Sequence, residues 1–209
     1  MHAEHGAVAL VALSAAGWIA RLALGARPYE GRVYGLARAG AVQTLVTLGT
    51  PHSSLERYPL GRVPERRSGE DPGLPPAALG SSLQLANTLY PDAAALAPVR
   101  AVCVCGTGVG GTSASPLQRL AAAAGGWRRW GDAWEEQVAA VSYESTCGAP
   151  DADGDGVTPV ESALLPGATH VLLPGVRHLP GGRRPWYGSE GVVPLWAVYL
   201  TPDPVPARR

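Results

Sequence analysis

The chain has 209 residues, 46% of them apolar, and carries 17 basic against 17 acidic side chains. That length bounds it at one domain or two small ones, with apolar residues enough for a core. Zero net charge supplies no basic field for nucleic acid or an anionic membrane. Every basic residue is Arg and Phe is absent, a bias that fits GC-rich coding better than any function.

Residues 7–20 are almost wholly apolar. The uncharged run ends at Arg21, short of the roughly 20 residues a spanning helix needs, so no transmembrane segment is expected. As a secretory signal it lacks a basic start, since only His2, Glu4 and His5 precede it. Ala23-Leu24-Gly25 is its small-residue cleavage candidate. Ala7 to Leu13 predicts a short strand buried on both faces, and Trp18 to Leu24 a helix ending at Gly25. Gln43 to Leu48 predicts the next strand, stopped by Gly49-Thr50-Pro51. Residues 53–98, rich in Pro, Gly, Ser and Arg, predict a long surface excursion with a short helix around Ser82–Leu89.

Val99 to Cys105 predicts a third strand, stopped by Gly106. Cys103 and Cys105 share a face of it, a spacing that suits no ordinary bridge between them. With three cysteines and no disulfide framework, buried thiols in a reducing compartment are expected. Trp127, Trp130 and Trp134 fit one helix face, for core or cap packing or for an aromatic wall along a substrate. Thr169 to Leu173 predicts a fourth strand, and about Ser189 to Tyr199 a terminal helix that Pro194 starts or interrupts. The tail Thr201–Arg209 holds three prolines and is expected to fray. Strands alternating with helices predict an α/β domain with a mostly parallel sheet.

Three residues carry the chemistry, in the order Ser14, Asp155, His178. A nucleophilic serine needs a strained strand-to-helix turn that exposes its oxygen, in the pattern G-x-S-x-G. Here the pattern reads Ala12-Leu13-Ser14-Ala15-Ala16, with alanine at both glycine positions. A helix N-cap is the ordinary reading of such a serine, but Ser14 stands between an apolar strand and a helix. Asp155 lies in Asp151-Ala152-Asp153-Gly154-Asp155-Gly156, which also opens like a calcium loop. Counted from Asp151, however, the twelfth position is Ser162 rather than the required Glu. Asp155 can instead be a solvated acid in a turn, or the acid that orients an imidazole. His178 follows a strand and a turn and can reach into a site. His52 is the rival base; His170, inside a strand, reads as structural. No spacing of His, Cys and acids predicts zinc.

Leu45-Val46-Thr47-Leu48-Gly49-Thr50-Pro51-His52 resembles the strand-and-loop signature of lipase-like α/β-hydrolases, and Gly154-Asp155-Gly156-Val157-Thr158-Pro159-Val160 their acid loop. Ser14-Ala15-Ala16-Gly17-Trp18-Ile19-Ala20-Arg21 is similar to the serine elbow H-S-A-G-G-W-x-A-R. Arg184 to Glu190 resembles the plant and algal plastid branch, and the set more distantly resembles the inositol deacylases of glycolipid anchors. The resemblance spans about residues 7 to 200. It implies a partial α/β-hydrolase fold, one domain with cap-like insertions at about 53–98 and 106–150, lacking the family's N-terminal strands. It also implies a cofactor-free hydrolase of carboxylic esters, lipid esters included, and an intracellular, plastid location. Ser14 would attack the carbonyl, His178 move the proton, Asp155 hold His178, and the Ala15 amide bind the oxyanion. The sequence offers no second oxyanion donor, and its first strand is expected to be an exposed apolar edge. Two readings from other classes stay open: an inactive hydrolase-like binding module, and a calcium module built on Asp151–Asp155.

Overall fold

A computed structural model describes residues 8–29, 31–37, 40–55, 82–112, 127–181 and 184–201, without the side chains of 82 and 127–133. The excursion residues 56–81, the segment 113–126 and the tail beyond 201 lie outside it, as do the side chains of Trp127 and Trp130.

In chain order the elements are β1 (Val8–Leu13), α1 (Ala16–Leu24), β2 (Val42–Leu48), α2 (Ser82–Leu89), β3 (Arg100–Thr107) and β4 (Val109–Gly110). There follow α3 (Trp127–Cys147), β5 (Asp153–Gly154), α4 (Val160–Ala163), β6 (Thr169–Pro174) and α5 (Val193–Ala197). Strands β1, β2, β3 and β6 form one parallel sheet in that spatial order, while β4 and β5 pair antiparallel on their own. Helices flank this sheet, so the chain belongs to the α/β class.

Alternation along the central strands builds two cores. Leu45, Ala101 and Cys103 face α1 and α2, where Trp18, Leu22, Leu83 and Leu85 cover them. Val46, Leu48, Val102 and Val104 face the other way, onto Tyr187, Val192 and the partly buried Trp196 and Tyr199. A period of two sends neighbouring side chains to opposite faces, and a parallel sheet needs both covered. β1 departs from its expected burial on both faces. Among the described residues it is an edge strand: Ala12 is buried toward α1, but Val11 is 45% and Leu13 37% exposed. The apolar edge expected of this strand is therefore present.

Two boundaries are corrected. Gly106 does not stop β3, which runs on to Thr107 and pairs Gly106 with Leu173 of β6. A side chain there would meet the Val176 carbonyl at 2.2 Å, so glycine serves a close approach within the sheet end. The terminal helix starts late, at Val193, with Pro194 in its first turn, where the missing amide costs nothing, and after Ala197 it continues as a 3-10 turn over Val198–Leu200. The tryptophan spacing does lie on one long helix, α3, yet Trp134 is 70% exposed, not packed in a core.

Because the four strands are parallel, their carboxyl ends share one edge. Ser14, Gly49, Gly108 and the turn from Gly175 to His178 all follow those ends. Open parallel sheets place their ligands at this edge.

Candidate active site

Ser14 occupies the single residue step between β1 and the turn into α1, with φ of +56°. It is the one non-glycine residue with positive φ among those described. Such a conformation costs about 1–3 kcal/mol and persists only where neighbours enforce it. Here the Ser14 amide donates to the Leu48 carbonyl at 2.9 Å, and the Thr50 hydroxyl donates to the Ser14 carbonyl at 2.7 Å. Gly17, the second residue of the helix, admits Thr50: a Cβ there would meet its Oγ1 at 2.2 Å. The alanines at the pattern's glycine positions are accommodated, Ala12 buried in the core and Ala16 exposed. Ala15 begins the helix with αR dihedrals.

Asp155 and His178 meet in a buried ion-pair geometry, Oδ2 to Nδ1 2.7 Å, with both residues at most 3% exposed. Their backbones are joined as well, the His178 amide donating to the Asp155 carbonyl at 2.8 Å. The Asp155 loop is self-bracing. Its Oδ1 accepts from the amides of Val157 at 3.0 Å and Thr158 at 2.7 Å. The Thr158 hydroxyl in turn donates to the Gly49 carbonyl at 2.8 Å, tying the acid loop to the end of β2. Tyr143 of α3 bridges β4 to the loop, donating to the Val109 carbonyl and accepting from the Gly156 amide, each at 2.7 Å. Tyr187 donates to Asp155 Oδ2 at 2.7 Å.

Gly49 links the two halves. Its neighbours Leu48 and Thr50 bond to Ser14, while a Cβ on it would meet Asp155 Oδ2 at 2.2 Å and His178 Nδ1 at 2.8 Å. The structure thus brings Asp155 and His178 together and ties the Ser14 turn to Leu48 and Thr50, the residues on either side of Gly49. Among the described residues no hydrogen bond joins the Ser14 hydroxyl to His178; such contacts often tighten only around substrate.

A cavity of about 280 Å³ opens beside His178. Its walls include Val109, Trp134, Val138, Val157 and Leu179, with Asp155 and the Arg177–Glu135 ion pair at 2.7 Å as charged contributions, and Ser14 does not line it. The exposed Trp134 lines this cavity and is not part of a core.

His52 is placed elsewhere. It is 3% exposed and lies among Arg21, Thr47 and Cys103, on the sheet face covered by α1. Arg21 Nη1 donates to its Nδ1 at 3.5 Å, so its Nε2 carries the proton, 3.1 Å from the Thr47 hydroxyl, which itself donates to the Val102 carbonyl. Both ring nitrogens are used in holding the loop. Arg21 is fully buried on carbonyl acceptors of Ala86, Tyr90 and His52 and on Asn87 Oδ1. Burial first, then the Arg21 charge, push His52 from 6.5 down to about 3. The unfolded chain therefore takes up a proton below pH 6.5 that the fold refuses until about pH 3. Stability is lost as pH falls through that window, by about 1.4 kcal/mol per unit. Urea unfolding at pH 7 and pH 5 is expected to show wild type losing about 2 kcal/mol more than His52→Gln. Equal losses in the two proteins would show that His52 is not held neutral.

His170 bonds the Leu165 carbonyl through Nε2 at 2.8 Å, a structural contact. Among the described residues no group of three or more acids, histidines or cysteines could hold a metal ion. Asp155, the acid the calcium reading needs, turns its oxygens onto its own loop, His178 and Tyr187. Nor, among the described residues, is any helix long and apolar enough to cross a membrane. The three cysteines are free thiols, and burial pushes Cys103 and Cys105 upward, away from thiolate chemistry.

Sequence reasoning missed Tyr187, Thr50, Thr158 and Gly49. Each lay in a segment that carries the resemblance, Leu45–His52, Gly154–Val160 or Arg184–Glu190, but nothing local gave these four residues a role at the site. The chain matches no protein-family profile, no curated protein and no solved structure.

Proposed function

We propose that the chain is a serine hydrolase of the α/β-hydrolase type acting on a carboxylic ester. The observation that carries this reading is the strained Ser14 turn, set against the Gly49 peptide whose open side touches the Asp155–His178 pair. The attachment order supports it: serine after β1, acid beyond β3, histidine after β6, the Ser-Asp-His order of that fold.

In the proposed cycle Ser14 Oγ attacks the ester carbonyl while His178 takes its proton. The amide of Ala15 donates to the oxyanion. Collapse breaks the ester bond, and His178 returns the proton to the leaving alcohol. Water then repeats the attack on the acyl-serine, with His178 as base, releasing the acid and restoring Ser14. Asp155 holds the ring with Nδ1 protonated and stabilises its charged form. The apolar walls of the cavity favour an ester with an uncharged, hydrocarbon-rich group, lipid esters among them.

The test is covalent labelling. A fluorophosphonate probe is expected to add one phosphonyl group to the chain, located on Ser14 by peptide mass mapping. The same preparation is expected to hydrolyse a p-nitrophenyl alkanoate. A label on another serine, or none with no turnover, would leave the inactive binding module as the better reading.

A further inference from the structure

We propose that Tyr187 is a positioning residue of the Asp155–His178 pair, its phenol holding the carboxylate oxygen that the imidazole shares. The Gly106 amide donates to the Tyr187 oxygen at 2.8 Å. An amide N–H can only donate, so the phenol is the acceptor there. Its one proton is then free for Asp155 Oδ2, 2.7 Å away. Burial, and then the nearby Asp155 charge, push the phenol well above its usual range, which keeps it a donor.

Asp155 thereby receives four donors: two loop amides on Oδ1, and Tyr187 with His178 on Oδ2. An ionised carboxylate has about four acceptor positions, so none is left over in a residue only 1% exposed. The amides fix where the carboxylate sits. Tyr187 fixes Oδ2 by sharing it, so the acid cannot rotate away as the imidazole gains and loses charge. The phenol itself cannot drift. Its oxygen is pinned to the end of β3, its carbonyl accepts from the Trp196 indole at 2.9 Å, and its ring sits edge-on to the His178 ring at 6.2 Å. One residue thus connects the sheet end, the C-terminal helix, the acid and the base.

The kinetic part of this proposal rests on the hydrolase reading; the hydrogen-bond part does not. Tyr187→Phe keeps the ring and removes the hydroxyl, and with it both the donor to Asp155 Oδ2 and the acceptor of the Gly106 amide. Ester turnover is expected to fall about tenfold or more, the scale of one hydrogen bond to a charged group, with KM unchanged. Proton NMR supplies the independent measure. The Nδ1–H between Asp155 and His178 is expected far downfield, and further downfield in Tyr187→Phe, where Oδ2 has lost its second donor. Fluorotyrosine placed at 187 alone, nearly isosteric and a stronger donor, is expected to move the resonance the other way, and serves if the Phe variant folds poorly. A resonance that moves in neither variant overturns the proposal. If it moves as expected while Ser14 takes no label, the positioning role stands and the esterase reading fails. If Ser14 labels and turns over normally with the resonance fixed, the reverse holds.

Discussion

His178→Ala is expected to lower ester turnover by about 10⁴-fold, and Asp155→Asn by a similar factor, while His52→Gln leaves it within about tenfold of wild type. The two histidines differ in what their nitrogens touch. His178 offers Nδ1 to a buried carboxylate at 2.7 Å and borders the cavity. His52 has both nitrogens engaged on the far face of the sheet, by Arg21 and Thr47. A base must gain and lose a proton within the cycle, and His52, pushed down to about 3, does not accept one near neutral pH. Asp155→Asn keeps the shape of the site, but its amide can turn an N–H toward Nδ1 and select the wrong tautomer. Steady-state rates on a p-nitrophenyl ester decide the matter, with melting curves to separate lost chemistry from lost folding. Activity that survives His178→Ala and vanishes in His52→Gln would reverse the assignment.

Gly49→Ala is expected to destabilise the fold by about 2–4 kcal/mol, lowering the melting temperature by roughly 5–15 °C, and to abolish Ser14 labelling. Two costs combine. At φ of +54° any side chain is strained, and this one would also strike Asp155 Oδ2 at 2.2 Å and His178 Nδ1 at 2.8 Å. The pair must part, leaving a buried carboxylate short of a donor. Gly31→Ala is the control, with φ of +73° and nothing within 4 Å of the added carbon. It carries the strain without the collision, at about 1 kcal/mol. Equal destabilisation by the two substitutions would show that the collision at Gly49 is relieved by loop movement and that the site is less tightly built.

The amino-acid sequence by itself determined the sheet. Val8 to Leu13, Val42 to Leu48, Arg100 to Thr107 and Thr169 to Pro174 are short apolar runs between turn residues, and such runs pair as parallel strands when helical segments separate them. It also determined which side chains were chemically available, since Ser14, Asp155 and His178 each stand beside an element end or in a glycine-rich turn.

What the sequence could not carry was contact between distant segments. β4 and β5 are two residues each and exist only because Val109 and Gly154 are brought opposite one another. Gly106 read as a stop because a local rule treats glycine as a breaker, whereas its neighbour in space, Val176, makes it a requirement of the strand. The spacing of Trp134 fitted core or cap packing or an aromatic wall alike, because periodicity gives a helix face and not what lies against it. His52 and His178 looked alike as loop histidines after strands. The sequence favoured His178 and kept His52 as its rival; what each ring touches is shown only by the tertiary structure, because ring direction and partners depend on packing across the sheet. Tyr187 is the extreme case: 32 residues from Asp155, with no periodicity linking them, it reaches the acid only once the chain after β6 has folded back over the sheet end.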